Sequence, residues 1–182
     1  MNIQSAIIQG AEILKKKFFL NPYLDSEILM SKVINKDKKY LILNGKNKIE
    51  KRNLDLFQKL IDERSKGKPV SHLTNKKLFW NSEFFVTEDT LIPRPDTELI
   101  VENILNLTKY KSKISILDIG IGSGCILLSI LRERKDFYGT GIDVSKNCLK
   151  IANINATNLK VHHRLKLYKS NVDKFSLGKY DL

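Results

Sequence analysis

The sequence predicts an α/β protein in which a small helical bundle precedes a β-hairpin and a parallel-sheet domain. Apolar residues recur at helical spacing up to residue 65, aromatic and β-branched runs follow, and strand-like and helical segments then alternate. Such alternation is typical of parallel sheets, because each crossover between strands is a helix. We place the helical domain at residues 1–73, a hairpin linker at 74–92 and the α/β domain at 93–182.

Four helices are predicted in the first domain. The apolar residues from Ile3 to Leu14 share one helical face, and Pro22 interrupts the pattern soon afterwards. Further segments with helical spacing follow, and Gly67 marks the end of the last one. The predicted helices cover residues 3–14, 24–34, 40–43 and 49–65.

A hairpin and then a helix are predicted next. The aromatic runs 78–80 and 84–86 are separated by the polar residues 81–83, which is typical of two strands joined by a turn. The polar residues 96–98 precede the apolar-periodic segment 99–107, so a helix with a side-chain cap is expected there. Beyond it we predict strands at 114–119, 138–142 and 165–168 and helices at 123–134 and 146–155.

The composition excludes several classes of protein. Polar residues interrupt every apolar run before the roughly 18 to 20 residues that a membrane span needs. Residues 1–14 lack the basic start and cleavage site of a signal peptide, so a cytoplasmic protein without membrane contact is expected. The two cysteines, Cys125 and Cys148, predict buried free thiols, with neither a disulfide nor a metal site.

The net charge of +12 leaves two interpretations open. Residues 1–77 hold 17 basic and 8 acidic side chains, and clustered basic residues attract polyanions. Only six of the 32 basic residues are Arg, however, so the excess is also what a Lys-rich composition produces. A modest basic face for a ribosome- or nucleic-acid-associated partner is retained as a hypothesis, while direct nucleic-acid binding is not expected.

A glycine-rich turn predicts the ligand site. Gly120, Gly122 and Gly124 alternate directly after the apolar strand 114–119 and open the next helix. Missing side chains allow a sharp turn and close approach of a ligand, and the start of the helix offers unpaired N–H groups. Asp143 ends the next strand, where a carboxylate accepts hydrogen bonds from both hydroxyls of a ribose. Together these features predict a nucleoside ligand; without a ligand, the same residues form only a tight turn and solvated strand ends.

Two details favour S-adenosyl-L-methionine over a dinucleotide. A dinucleotide-binding turn carries its third glycine where this chain has Cys125, one position after Gly124. Asp118 stands two residues before the first glycine, where its carboxylate would repel a pyrophosphate but suits an amino group or a water near a methionine moiety. We therefore interpret residues 118–143 as the cofactor-binding element of a class I (Rossmann-like) methyltransferase domain.

The chain resembles the peptide chain release factor N(5)-glutamine methyltransferases of the HemK (PrmC) type over nearly its whole length. The most specific part is Leu91-Ile-Pro-Arg-Pro-Asp-Thr-Glu98, supported by Pro69-Val-Ser-His-Leu-Thr74, by Phe79-Trp80 and by the glycine turn. The resemblance implies a helical domain that docks the release factor, a hairpin linker and a catalytic domain. Its reaction would be methylation of the glutamine in the Gly-Gly-Gln loop of class 1 release factors, in translation termination.

The resemblance also implies cofactor contacts and an incomplete site. Thr97 and the glycine turn would face the methionine part, Asp143 the ribose, and Asn171 with Val172 the adenine. Family members continue from a strand like 179–182 into an Asn-Pro-Pro-Tyr loop that clamps the substrate amide. We therefore expect an inactive fragment with an incomplete methyltransferase domain and no catalytic residue of its own. The predicted cofactor-binding residues are Thr97, Asp118, Gly120, Ile121, Gly122, Ser123, Gly124, Asp143, Asn171 and Val172.

Two rival functions stay open at this point. Adenine-N(6) methyltransferases of DNA or RNA share the glycine turn and a similar Pro-Pro-Tyr loop, but the string at 91–98 and the helical domain weigh against them. A non-catalytic RNA- or ribosome-binding module would use the basic helical domain and keep the turn as a relic.

Overall fold

The computed structural model describes residues 1–182, which form two compact units, Met1–Thr74 and Asn75–Leu182. The first unit is helical, and its four predicted helices are confirmed. A fifth, short helix begins after Pro69, whose carbonyl accepts from the N–H groups of His72 (3.0 Å) and Leu73 (3.1 Å). None of the helices is long and apolar enough to cross a membrane. The helices of the first unit are α1 (Ile3–Lys15), α2 (Pro22–Ile34), α3 (Lys38–Asn44), α4 (Lys51–Ser65) and α5 (Val70–Thr74).

The core of the first unit forms where α1, α2 and α4 approach one another around Gly10. A Cβ atom at Gly10 would lie 2.7 Å from the hydroxyl of Ser26 and 2.9 Å from the ring of Phe57, so only glycine fits there. The buried Ser26 hydroxyl donates to the carbonyl of Ile7 (2.7 Å), which satisfies it inside the core. Close helix packing of this kind explains why the apolar stripe of α1 is buried.

The second unit begins with the hairpin formed by β1 (Lys76–Phe79) and β2 (Ser82–Phe85). Its turn is Trp80–Asn81, so the predicted connection 81–83 was wrong by one residue at its start and by two at its end. Side chains on one face of the hairpin, among them those of Phe79 and Phe84, are buried in the core of the second unit. The segment predicted as a linker between domains is therefore part of the α/β unit.

The α/β unit contains a parallel sheet of three strands in the order β3-β4-β5, which confirms the predicted fold class. Three helices accompany it, and the apolar residues of α7 and α8 are buried with those of the hairpin. The glycine turn lies between β3 and α7, at the carboxyl end of β3. The elements are α6 (Glu98–Leu107), β3 (Ser115–Ile119), α7 (Cys125–Glu133), β4 (Tyr138–Asp143), α8 (Lys146–Asn158) and β5 (Leu165–Lys169).

The last residues of the chain pair with the outer side of β3. The N–H of Asp181 donates to the carbonyl of Ser115, and the N–H of Leu117 donates to the carbonyl of Leu182, both at 2.9 Å. The carboxylate of Asp181 also accepts from the N–H of Ser115 (2.9 Å). The β3 edge opposite β4 therefore has hydrogen-bond partners in this segment.

The start of α6 differs from its prediction. A short 3₁₀ turn, Pro95–Thr97, precedes the helix, and no side chain caps it. The carboxylate of Glu98 instead accepts a hydrogen bond from the backbone N–H of Trp80 (3.0 Å). The polar residues at this helix start therefore serve a contact to the hairpin, which the local sequence pattern does not reveal.

Candidate functional site

The glycine turn adopts a left-handed backbone at all three glycines. The φ angles are 76° at Gly120, 55° at Gly122 and 80° at Gly124, a region that L-residues with side chains rarely adopt. The N–H groups of Gly120 and Ile121 both donate to the carbonyl of Ile142 (2.8 and 3.0 Å), which attaches the turn to β4. The alternating glycines predicted as a sharp strand-to-helix turn therefore form one.

The three glycines face different surroundings. A Cβ atom at Gly120 would meet no atom within 4 Å, and at Gly122 only the carbonyl oxygen of Gly120 at 3.8 Å. At Gly124 it would lie 2.7 Å from the side chain of Leu128. The first two glycines thus line open space in which a ligand can contact the backbone, whereas the third lets α7 pack closely.

Asp143 is joined to the glycine turn directly. Its Oδ2 accepts from the N–H of Gly122 (3.0 Å) and its Oδ1 from the N–H of Ser145 (2.8 Å). Each carboxylate oxygen has a second lone pair, so both oxygens remain able to accept a hydroxyl. The structure thus brings together the two features that predicted a nucleoside, the turn and the carboxylate at the end of β4.

Asp118 is a partly buried carboxylate on β3. Burial raises the pKa of Asp118 to about 6; the backbone N–H of Leu127 opposes this shift, and the charge of Asp143 contributes a smaller part of it. A cationic amino group beside Asp118 would offset this unfavourable desolvation. The thiol of Cys125 at the start of α7 is also desolvated, which raises its pKa to about 11 and keeps it protonated.

Two exposed valines, Val144 and Val172, follow the ends of β4 and β5, and Val172 is one of the residues predicted to face adenine. Asn171 caps the 3₁₀ turn Val172–Lys174, because its Oδ1 accepts from the N–H of Lys174 (3.1 Å). Val172 is 54% exposed, and Val144, directly after Asp143, is 66% exposed on the neighbouring strand end. Both present apolar surface suited to a flat ring. Val144 is not among the residues predicted from the sequence, although its position next to Asp143 was a usable signal.

The structure gives less support to three further predicted contact residues, Ile121, Ser123 and Thr97. Ile121 and Ser123 have buried side chains, so only their backbone atoms are left to meet a ligand at the turn. Thr97 ends the 3₁₀ turn before α6 and is partly buried, and no hydrogen bond joins it to the glycine turn. Its role in holding the methionine part stays a prediction.

Residues 5–74 match the family model of the PrmC N-terminal domain, and residues 95–182 match that of the methyltransferase small domain. The release factor glutamine methyltransferase of Leptospira interrogans is 39% identical over 85% of this chain and 54% of its own length. That of Clostridium acetobutylicum is 34% identical over 92% of this chain and 59% of its own length. The chain spans about half the length of the curated relatives it matches.

Similar solved structures include a SAM-dependent methyltransferase from Thiobacillus denitrificans in complex with S-adenosyl-L-homocysteine. It is 26% identical with a TM-score of 0.41 and covers 48% of this chain and 34% of that chain. The methyltransferase family model matched by residues 95–182 implies S-adenosyl-L-methionine as the cofactor, and the open glycine turn with Asp143 fits that group. The chain belongs to the PrmC family of release factor glutamine methyltransferases, of which it carries the N-terminal domain and a methyltransferase small domain.

Proposed function

We propose that this chain supplies the cofactor-binding half of a release factor glutamine methyltransferase. The observation that carries the proposal is the contact between the Asp143 carboxylate and the N–H of Gly122, beside the open space at Gly120. This arrangement offers hydroxyl acceptors and an accessible backbone at one place, as an adenosine-containing ligand requires. When bound, S-adenosyl-L-methionine supplies an electrophilic methyl group for the substrate amide nitrogen.

Each residue of the site has a separate task in this proposal. Asp143 accepts the ribose hydroxyls, and Gly120 and Gly122 allow the ligand to contact the backbone. Asp118 receives the ammonium group of the methionine part, which compensates the desolvation of its carboxylate. Val144 and Val172 provide the apolar surface for adenine, and Asn171 keeps its amide Nδ2 free for the ring edge.

The proposed substrate is the glutamine of the Gly-Gly-Gln loop in class 1 release factors. The names of relatives that are 34% to 40% identical support it, as does the PrmC N-terminal domain at residues 5–74. A glutamine amide is a weak nucleophile, so the enzyme's main contribution would be to hold it in attack geometry and polarise it. Because release factors act in translation, the proposal includes the cytoplasmic location expected from the sequence.

Calorimetric titration with S-adenosyl-L-homocysteine tests the cofactor half. Asp143→Asn should weaken binding at least about tenfold, since a hydrogen bond to a charged group contributes roughly 1.5–3 kcal/mol. Asp55→Asn serves as the control, because Asp55 is an exposed carboxylate on α4 of the other unit. Equal affinity of the two variants would contradict the site. A salt-dependent RNA signal without cofactor heat would instead favour the basic binding module.

Surface plasmon resonance with a class 1 release factor tests the partner. The chain should bind the factor, and replacing the loop glutamine by alanine should leave docking by the helical domain largely unchanged. An unrelated acidic protein of similar charge is the necessary control, because a chain of net charge +12 attracts acidic proteins unspecifically. Equal binding to both proteins would refute the proposed partner.

A further inference from the structure

We propose that Asn155 is a positioning residue that holds the glycine turn in its cofactor-binding shape by tying it to the hairpin. Asn155 lies on α8 and is fully buried. Its Nδ2 donates to the carbonyls of Ser123 and Phe85, both at 2.9 Å, and its Oδ1 accepts from the N–H of Phe85 (2.7 Å). One amide side chain thus joins the turn, the hairpin and α8. The inference rests on the proposed cofactor role of the turn.

The carbonyl of Ser123 lies in the flexible part of the glycine turn. Ser123 is only 3% exposed and lies between Gly122 and Gly124, whose backbones are free to adopt other conformations. Asp143 holds the N–H of Gly122, and Asn155 holds the carbonyl of the next residue. These two anchors restrict the flexible part of the turn from both sides.

The hairpin is a rigid anchor for Asn155. The backbone N–H of Trp80 donates to the carboxylate of Glu98 (3.0 Å), and its indole N–H donates to that of Glu133 (3.1 Å). Glu98 directly follows Thr97, the residue predicted to face the methionine part. The hairpin therefore connects the glycine turn with the segment of Thr97 and stabilises both parts of the proposed cofactor site.

Asparagine is the residue type this position requires. Two donors and one acceptor are used at once, and of the short side chains only the amide of Asn offers both. Aspartate would keep the acceptor for Phe85 but place its second oxygen against the carbonyls of Phe85 and Ser123. An apolar residue would leave three buried backbone groups unpaired, each at the cost of its desolvation.

Amide hydrogen exchange tests the role of Asn155 without any ligand. In Asn155→Ser, the N–H groups of Gly122 and Gly124 should exchange about fivefold to tenfold faster than in the wild type, relative to the interior amides of β4. Asn155→Asp should have a larger effect in the same amides. Arg164→Met is the matched control, because Arg164 also donates three hydrogen bonds to backbone carbonyls but none to the turn or the hairpin.

Two results would overturn the proposal. One is a lower melting temperature of Asn155→Ser without faster exchange at the turn relative to β4. The other is an equal acceleration at the turn in Arg164→Met. Calorimetry with S-adenosyl-L-homocysteine adds a second readout, in which Asn155→Ser should bind more weakly and Arg164→Met as the wild type. Failure of the wild type to bind would refute the cofactor proposal, while the exchange data would still decide whether Asn155 shapes the turn.

Discussion

Two turns of the α/β unit contain left-handed residues, but only one of the turns has glycine at these positions. The turn after β3 has glycine at each left-handed position, Gly120, Gly122 and Gly124, and is free of Cβ strain. The hairpin turn has Trp80 at φ 44° and Asn81 at φ 54°, and a bulky residue in this region costs roughly 1–2 kcal/mol. The same backbone geometry is thus relaxed in one turn and strained in the other.

The surroundings of the two turns explain the difference. Both N–H groups of Trp80 donate to carboxylates, and the carbonyl of Asn81 accepts from Arg132 (3.0 Å), so protein contacts hold the strained turn. Gly120 instead borders open space. A strained turn whose polar groups are bonded within the protein serves the fold, whereas a relaxed turn beside open space leaves room for a ligand.

The largest loss of stability is expected when alanine replaces Gly124, the packed glycine of the glycine turn. Gly124→Ala adds left-handed strain of roughly 1–2 kcal/mol and, because its Cβ would meet Leu128 at 2.7 Å, a further 1–3 kcal/mol of overpacking. Gly120→Ala adds the strain alone, since its Cβ would meet nothing within 4 Å. Urea unfolding should therefore show a clearly larger loss of stability for Gly124→Ala.

Affinity for S-adenosyl-L-homocysteine should rank the same two variants in the opposite order, with the larger loss in Gly120→Ala. Gly120→Ala places a methyl group in the space proposed for the ligand, so its affinity for S-adenosyl-L-homocysteine should fall more than its stability does. If both alanines reduce stability equally, the contrast between a packed and an open glycine is wrong.

The next largest effect on stability is a pH dependence that arises from a carboxylate beside one of the two turns. Glu98 and Glu133 accept N–H donors at the hairpin, whereas Asp118 beside the glycine turn is desolvated, which raises its pKa to about 6. Its charged form is thus disfavoured by folding, so the wild-type free energy of unfolding should fall as pH rises from about 4 to about 6. Asp118→Asn should lack this fall and be more stable at neutral pH by about 3 kcal/mol, since each unit of the pKa rise from 3.8 to about 6 corresponds to roughly 1.4 kcal/mol.

Urea unfolding at several pH values measures this difference. Asp136→Asn is the control, because its carboxyl has a lowered pKa from the N–H of Lys113 and should show no such gain at neutral pH. Parallel pH profiles of the wild type and Asp118→Asn would contradict the desolvation of Asp118. With cofactor present the order should reverse, since the asparagine loses the charge proposed to receive the ammonium group.

Local patterns predicted most of this architecture. Helical spacing indicated four helices of the first unit, because neighbouring residues determine this feature. Gly122 and Asp143 lie 21 positions apart, but the alternation of strands and helices predicted that both follow strand ends of one sheet. The hairpin turn was placed too late, by one residue at its start and two at its end, since Trp80 is no usual turn residue and its conformation depends on the distant carboxylates Glu98 and Glu133. Asn155 escaped notice because its partner Phe85 lies 70 positions away.

The smallest change in stability is expected at Asn81, the second residue of the hairpin turn. Turns with two left-handed residues favour glycine at that position, so Asn81→Gly should stabilise the fold by about 0.5 kcal/mol. The carbonyl that accepts from Arg132 belongs to the backbone and is retained. Because no ligand is proposed there, affinity for S-adenosyl-L-homocysteine should not change. A loss of stability instead would mean that the Asn81 side chain helps to hold the turn, and that backbone strain alone does not distinguish it from the glycine turn.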